Sequence, residues 1–121
     1  MITLRGKVKK GESRGKDLGF PTANIDVSKN LDEGIYISSV KVKNKSHGAL
    51  TFIGKAITFN ETNLQAETYV LDFNQDIYDN WISVTLILKI RENKKFDKIE
   101  ELIKEMKNDE RIAREYFASL I

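Results

Sequence analysis

The chain of 121 residues has no cysteine, a single histidine, a single proline, a single tryptophan, and no apolar run approaching membrane-spanning length. Without cysteine there is no disulfide framework, no thiolate metal site and no cysteine nucleophile, which fits a reducing compartment. His47 stands alone in a polar stretch, and a lone histidine without partners builds neither a metal centre nor a catalytic base. Met1 to Lys7 lacks the apolar core of a secretory leader, so the chain is read as cytoplasmic with no membrane partner. The Asn-x-Ser/Thr matches at Asn44 and Asn60 are then incidental.

Charge of one sign is also scarce: 20 basic residues against 18 acidic give a formal net charge of +2. The basic residues do gather early, at Arg5, Lys7, Lys9, Lys10, Arg14 and Lys16, and a local positive field of that kind suits phosphate. Alternate lysines on a half-exposed strand also simply face water, and that is the reading adopted for Lys7 and Lys9. Length and ordinary globular composition imply one domain over 1–121, with a barrel over about 1–93 and a helical segment over about 97–121.

Period-2 alternation marks strands at Leu4–Lys9 and Trp81–Arg91, and short runs between turn signals read as strands at Thr22–Val27, Gly34–Val42, Ala49–Ile53 and Ala66–Leu71. Trp81 is assigned to packing. In the last strand Ile82, Val84, Leu86, Leu88 and Ile90 fall on one face. Three glycines and the only proline make Gly11–Pro21 a loop. Asn44 to Gly48 reads as a hairpin turn, and Gly54 to Gln65 as a polar loop. Ile99, Leu102, Ile103 and Met106 then recur at helical spacing, continued by Ile112, Tyr116, Phe117 and Leu120. Asp97 with Glu100 forms a capping-box pattern, and Asn108-Asp109 reads as a break between two helical segments. The pattern predicts a mainly β fold, a closed or nearly closed antiparallel barrel with the C-terminal helix packed outside.

The stretch Gly11-Glu12-Ser13-Arg14-Gly15-Lys16-Asp17-Leu18-Gly19-Phe20-Pro21-Thr22-Ala23-Asn24 carries the chemistry. Glycines let backbone N–H groups approach phosphate oxygens, and a neighbouring cation adds charge. It is not a Walker A loop: the glycines are too close, Asp17 stands where Ser or Thr is required, and a strand follows. Thr22 and Asn24, two apart on a strand, share a face and offer a hydroxyl and an amide oxygen, hard neutral ligands suited to Mg²⁺. The competing reading is a turn proline followed by an edge strand.

This segment resembles the signature of the riboflavin kinase family, G-x-x-x-G-[RK]-x-L-G-F-P-T-A-N. Further blocks resemble the same family in order: Gly34-Ile35-Tyr36, Ile53-Gly54, Glu67 with Leu71-Asp72-Phe73 and Tyr78, and Ile90-Arg91 through Phe96, Leu102 and Asp109. The resemblance implies a six-stranded Greek-key barrel that transfers the γ-phosphoryl group of ATP, with Mg²⁺, to the 5′-hydroxyl of riboflavin to give FMN. It implies nucleotide binding by Gly11, Arg14, Gly15, Lys16, Thr22, Asn24, Val70, Asp72 and Tyr78, with Thr22 and Asn24 also on the metal. Arg91, Lys94 and Phe96 fall on the flavin side, although Lys94 equally suits a solvent-facing role. Glu67 becomes the catalytic base; by composition alone it is an ordinary strand glutamate.

Tyr69 stands where the family usually has histidine, Phe52 where a polar residue commonly precedes Ile-Gly, and the Ala56–Phe59 segment lacks the usual proline. These departures bear on specificity and rate. Riboflavin and ATP are the expected partners, with no nucleic acid, for a monomer. Many bacterial family members carry this module as the C-terminal domain of a bifunctional kinase/FAD synthetase. The chain is too short to hold the second domain, and is expected to be a stand-alone kinase or an excised module. One rival is a flavin or nucleotide sensor that lost turnover, against which Glu67, Thr22 and Asn24 argue. The other is a barrel that binds single-stranded nucleic acid, which needs aromatics among its cations; the early basic strand has none.

Overall fold

Six stretches pair as strands, and the side chains on the inward face of each meet in a common core. The computed structural model describes residues 1–9, 22–58 and 61–121, with the side chains of 56–58 and 61–63 excepted. Its strands are β1 (Ile2–Lys7), β2 (Ala23–Asp26), β3 (Gly34–Val42), β4 (Lys45–Thr58), β5 (Glu61–Val70) and β6 (Trp81–Arg91), followed by α1 (Ile99–Ala118). All pairings are antiparallel, in the order β1-β6-β3-β4-β5-β2. β3, β4 and β5 follow one another as hairpins and β6 returns beside β3, a Greek-key arrangement. The sheet curls until its edges meet: the Lys9 amide donates to the Asn24 carbonyl at 2.9 Å, leaving a nearly closed barrel.

The inner face is a dry core of Leu4, Ile25, Val40, Ile53, Ala66, Val70, Ile82 and Val84 among others. Its few polar groups satisfy one another, since Ser38 Oγ and Thr51 Oγ1 lie 2.7 Å apart and Thr51 Oγ1 and Thr68 Oγ1 2.9 Å. A second core lies on the outer face, where Ile35, Ile37, Leu50 and Leu71 pack beneath Ala113 of α1 with Ile112, Tyr116 and Phe117 around it. The Phe117 ring lies on Gly48, so close that a Cβ there would come within 2.8 Å of it.

Several local expectations give way to tertiary pairing. The polar stretch from Gly54 onward is not a loop: β4 and β5 pair from Ala49↔Val70 as far as Thr58↔Glu61, because cross-strand hydrogen bonding outweighs local polarity. The β3–β4 turn is tighter than Asn44–Gly48. Lys43 and Asn44 both adopt positive φ (49° and 67°), as a two-residue hairpin turn requires, and His47 lies within β4 with its ring 4.9 Å from that of Phe73. The helix is continuous through Asn108-Asp109, and the buried Asp109 carboxylate is held by β6 instead of ending the helix. Lys98 occupies the N-cap without a side-chain cap; Asp97 lies one residue too early, while Glu100 and Glu101 complement the helix dipole. Register shifts opposite β3 break the alternation of β6, leaving Leu88 51% exposed while Ile87 and Ile90 turn toward the outer core. Trp81 is not packing either: it is 58% exposed, with the Arg5 guanidinium 5.7 Å from its ring.

Candidate functional site

Because successive strand residues face opposite ways, β5 sends Ala66, Thr68 and Val70 into the barrel and Glu67 and Tyr69 out of it. Register then draws one line across the outer face. Asn24 lies opposite Glu67, Glu67 opposite Phe52, Phe52 opposite Ile35, and Ile35 opposite Arg91. This row of five floors a cavity of about 530 Å³ between the barrel wall and the C-terminal segment, which contributes Lys94, Phe96, Leu102, Met106 and Asp109. The Glu67 carboxylate thus lies on the outer wall, across the cavity from the helix and the loop before it.

At one end of the row, the Thr22 hydroxyl donates to Glu67 Oε1 at 2.8 Å. Asn24 is 4% exposed and lies on the same face. Thr22, Asn24 and Glu67 are therefore neighbours, as the strand spacing of the first two and the resemblance implied. At the other end Arg91 clamps Asp109, its Nε donating to Oδ1 at 2.8 Å and a terminal nitrogen to Oδ2 at 2.7 Å, with Glu105 at 3.4 Å. A bidentate pair of this kind fixes α1 and the 92–98 connection against β6. Arg91 borders the cavity with these donors committed to the helix, while Lys94 is 3.6 Å from Glu105.

Tyr69, two residues beyond Glu67, donates to Glu110 at 3.0 Å, and burial followed by that hydrogen bond pushes its phenol above the ordinary value. Arg114 holds Glu110 at 3.2 Å and forks onto Asp72 with two contacts of 3.0 Å; its hydrogen bond lowers the Asp72 carboxyl. Asp72 is thus on the surface past β5, Tyr78 is 48% exposed, and Val70 fills the inner core; none of the three borders this cavity. Gly11, Arg14, Gly15 and Lys16 lie outside the described residues. Leu102 and Met106, visible in the sequence only as part of the helix's apolar stripe, and Phe52 also border the cavity, a position the sequence did not reveal for any of the three. The signal for Phe52 was the β4–β5 register, which becomes readable only once the hairpin is known to continue past Gly54.

The family model described as riboflavin kinase (flavokinase) matches residues 1–117. The trifunctional protein RibF/MnmA of Mycoplasmoides gallisepticum is 42% identical over 94% of this chain and 18% of its own length. The RNA-binding riboflavin kinase RibR of Bacillus subtilis is 38% identical over 90% of this chain and 48% of its own. Other curated relatives are named bifunctional riboflavin kinase/FMN adenylyltransferase. The chain thus spans less than half the length of these curated relatives. Among solved structures, riboflavin kinase from Trypanosoma brucei superposes with a TM-score of 0.66 at 26% identity, covering 96% of this chain and 79% of that one. With the barrel, the helix and the family match in agreement, the chain belongs to the riboflavin kinase family.

Proposed function

We propose that this chain is itself a riboflavin kinase, transferring the γ-phosphoryl group of ATP to the 5′-hydroxyl of riboflavin to give FMN, as a monomer in the cytoplasm. The observation that supports this reading best is the contact of 2.8 Å between the Thr22 hydroxyl and the Glu67 carboxylate at one end of a cavity whose floor continues over Phe52 and Ile35 to Arg91. A primary alcohol is a weak nucleophile. Glu67 within reach of the 5′-hydroxyl orients it and takes its proton as the new oxygen–phosphorus bond forms and the bond to the β-phosphate oxygen breaks.

Thr22 and Asn24 suit Mg²⁺. With its hydrogen given to Glu67, the Thr22 oxygen keeps lone pairs for a cation, and the Asn24 amide offers a second neutral oxygen. Two neutral oxygens leave most of the coordination of such an ion to nucleotide phosphates and water. Bound there, Mg²⁺ would neutralise the phosphate charge that opposes attack. The proposed phosphate ligands are Gly11, Arg14, Gly15 and Lys16, by their pattern in the sequence. Phe96 and Lys94, across the cavity from Glu67's strand, are proposed for the flavin. Arg91 joins them through Asp109, by fixing that wall in place.

Incubating the chain with riboflavin, Mg²⁺ and either ATP or CTP, and following FMN by chromatography, tests the reading. FMN from ATP is expected. Absence of product with both nucleotides, together with no binding of riboflavin, overturns it.

One observation favours a second reading. β1 alone carries no aromatic, but pairing places Trp81 opposite Lys7, with Arg5 on its ring, on a face that also bears Lys41. An exposed ring among cations is what a single nucleic-acid strand stacks on, and one relative is named RNA-binding. Salt-dependent oligonucleotide binding that disappears in Trp81→Ala would support it.

A further inference from the structure

We infer that Phe52 is a specificity-determining platform for the planar ring of the acceptor substrate. The inference rests on the proposed kinase reading and goes beyond it, because Phe52 occupies a position where the family commonly carries a polar residue.

Phe52 lies directly opposite Glu67 in the β4–β5 ladder and lines the same cavity, yet 37% of it remains exposed. Its ring does not project freely. It folds along β4 onto Gly54, and a Cβ on Gly54 would come within 2.6 Å of Phe52 Cζ. The missing side chain at Gly54 is therefore what lets the ring lie down along the strand where it borders the cavity. Neighbouring strands are about 4.8 Å apart, so the ring is one strand step from Glu67 and Ile35 is two. An extended five-carbon sugar-alcohol chain covers roughly 5–6 Å, judged from ordinary carbon–carbon bond lengths. With its terminal hydroxyl at Glu67, the attached ring system falls over Phe52 and Ile35. Phe96, Leu102 and Met106 also line the cavity, supplying apolar surface from the C-terminal segment. A flat aromatic heterocycle gains from stacking on such a ring, and an acceptor lacking one does not.

The test is riboflavin binding, followed by flavin fluorescence, together with separate KM values for riboflavin and ATP. Phe52→Ala is expected to weaken riboflavin about tenfold, in binding and in KM, with the KM for ATP within about twofold. Phe52→Trp should preserve affinity and quench the bound flavin's emission further. Gly54→Ala should lift the ring and weaken riboflavin several-fold. In the double variant it should add nothing to Phe52→Ala, since the ring it displaces is already gone. Circular dichroism of each variant separates loss of binding from loss of fold. Unchanged riboflavin affinity in folded Phe52→Ala, equal losses for riboflavin and ATP, or additive effects of the two substitutions would each overturn the platform while leaving the kinase reading intact. A wild-type chain that binds no riboflavin would remove both.

Discussion

The two faces of the same strands differ more than any two elements of the molecule. Inside the barrel, Ala66, Thr68 and Val70 of β5 meet Ile25, Ile53 and Ala49 in a sealed core whose hydroxyls bond one another. Outside, one residue further along each strand, Glu67, Tyr69 and Asn24 border a cavity with charged groups at its rim. Stability and chemistry are thus interleaved residue by residue in one sheet. A strand's alternation lets the inner set hold the geometry that the outer set uses. Each substitution should therefore report on one face or the other.

The two largest effects on folding should come from the seam where the outer face meets the helix and from the inner core. Asp109→Ala removes the bidentate partner of a largely buried guanidinium, leaving it the longer contact to Glu105, and a loss of about 3 kcal/mol is expected in denaturant unfolding, with a raised KM for riboflavin. Ile25→Ala, on the inner face beside Asn24, should cost about 2–4 kcal/mol through cavity formation while leaving both KM values of the folded enzyme unchanged. A changed KM there would break the separation of the two faces. Thr68→Val leaves Thr51 one hydroxyl partner short and should cost about 1–2 kcal/mol. The smallest effect belongs to the exposed Asp72–Arg114 fork. Its hydrogen bond lowers the Asp72 carboxyl, so its contribution is present at neutral pH and is lost as pH falls through that lowered value. Arg114→Ala should shift the melting point slightly at neutral pH and not at all in acid, as a pH series of thermal melts would record.

The Greek-key topology came through family resemblance, whereas the strands and the outer helix were legible because each rests on a short-range period. The join between helix and barrel was not. Asp109 reads locally as a helix-breaking residue, and only Arg91, 18 residues away, makes it a buried ligand of that guanidinium. Leu88 looked buried for the same reason, since a bulge that shifts alternation is set by the partner strand. At the site, Thr22 and Asn24 were visible as a same-face pair, and Glu67 only through family resemblance, because nothing in its local sequence distinguishes it from a solvated glutamate. The cavity position of Phe52 needed the full β4–β5 register.

Glu67 is proposed to act on the acceptor hydroxyl beside Thr22. The most direct measurement is kcat for FMN formation by Glu67→Gln at saturating riboflavin and Mg-ATP, paired with riboflavin affinity by fluorescence titration. Retained binding with kcat lowered about 10²- to 10⁴-fold is the expected result. A variant that binds both substrates and turns over at the wild-type rate would show that Glu67 is not the base.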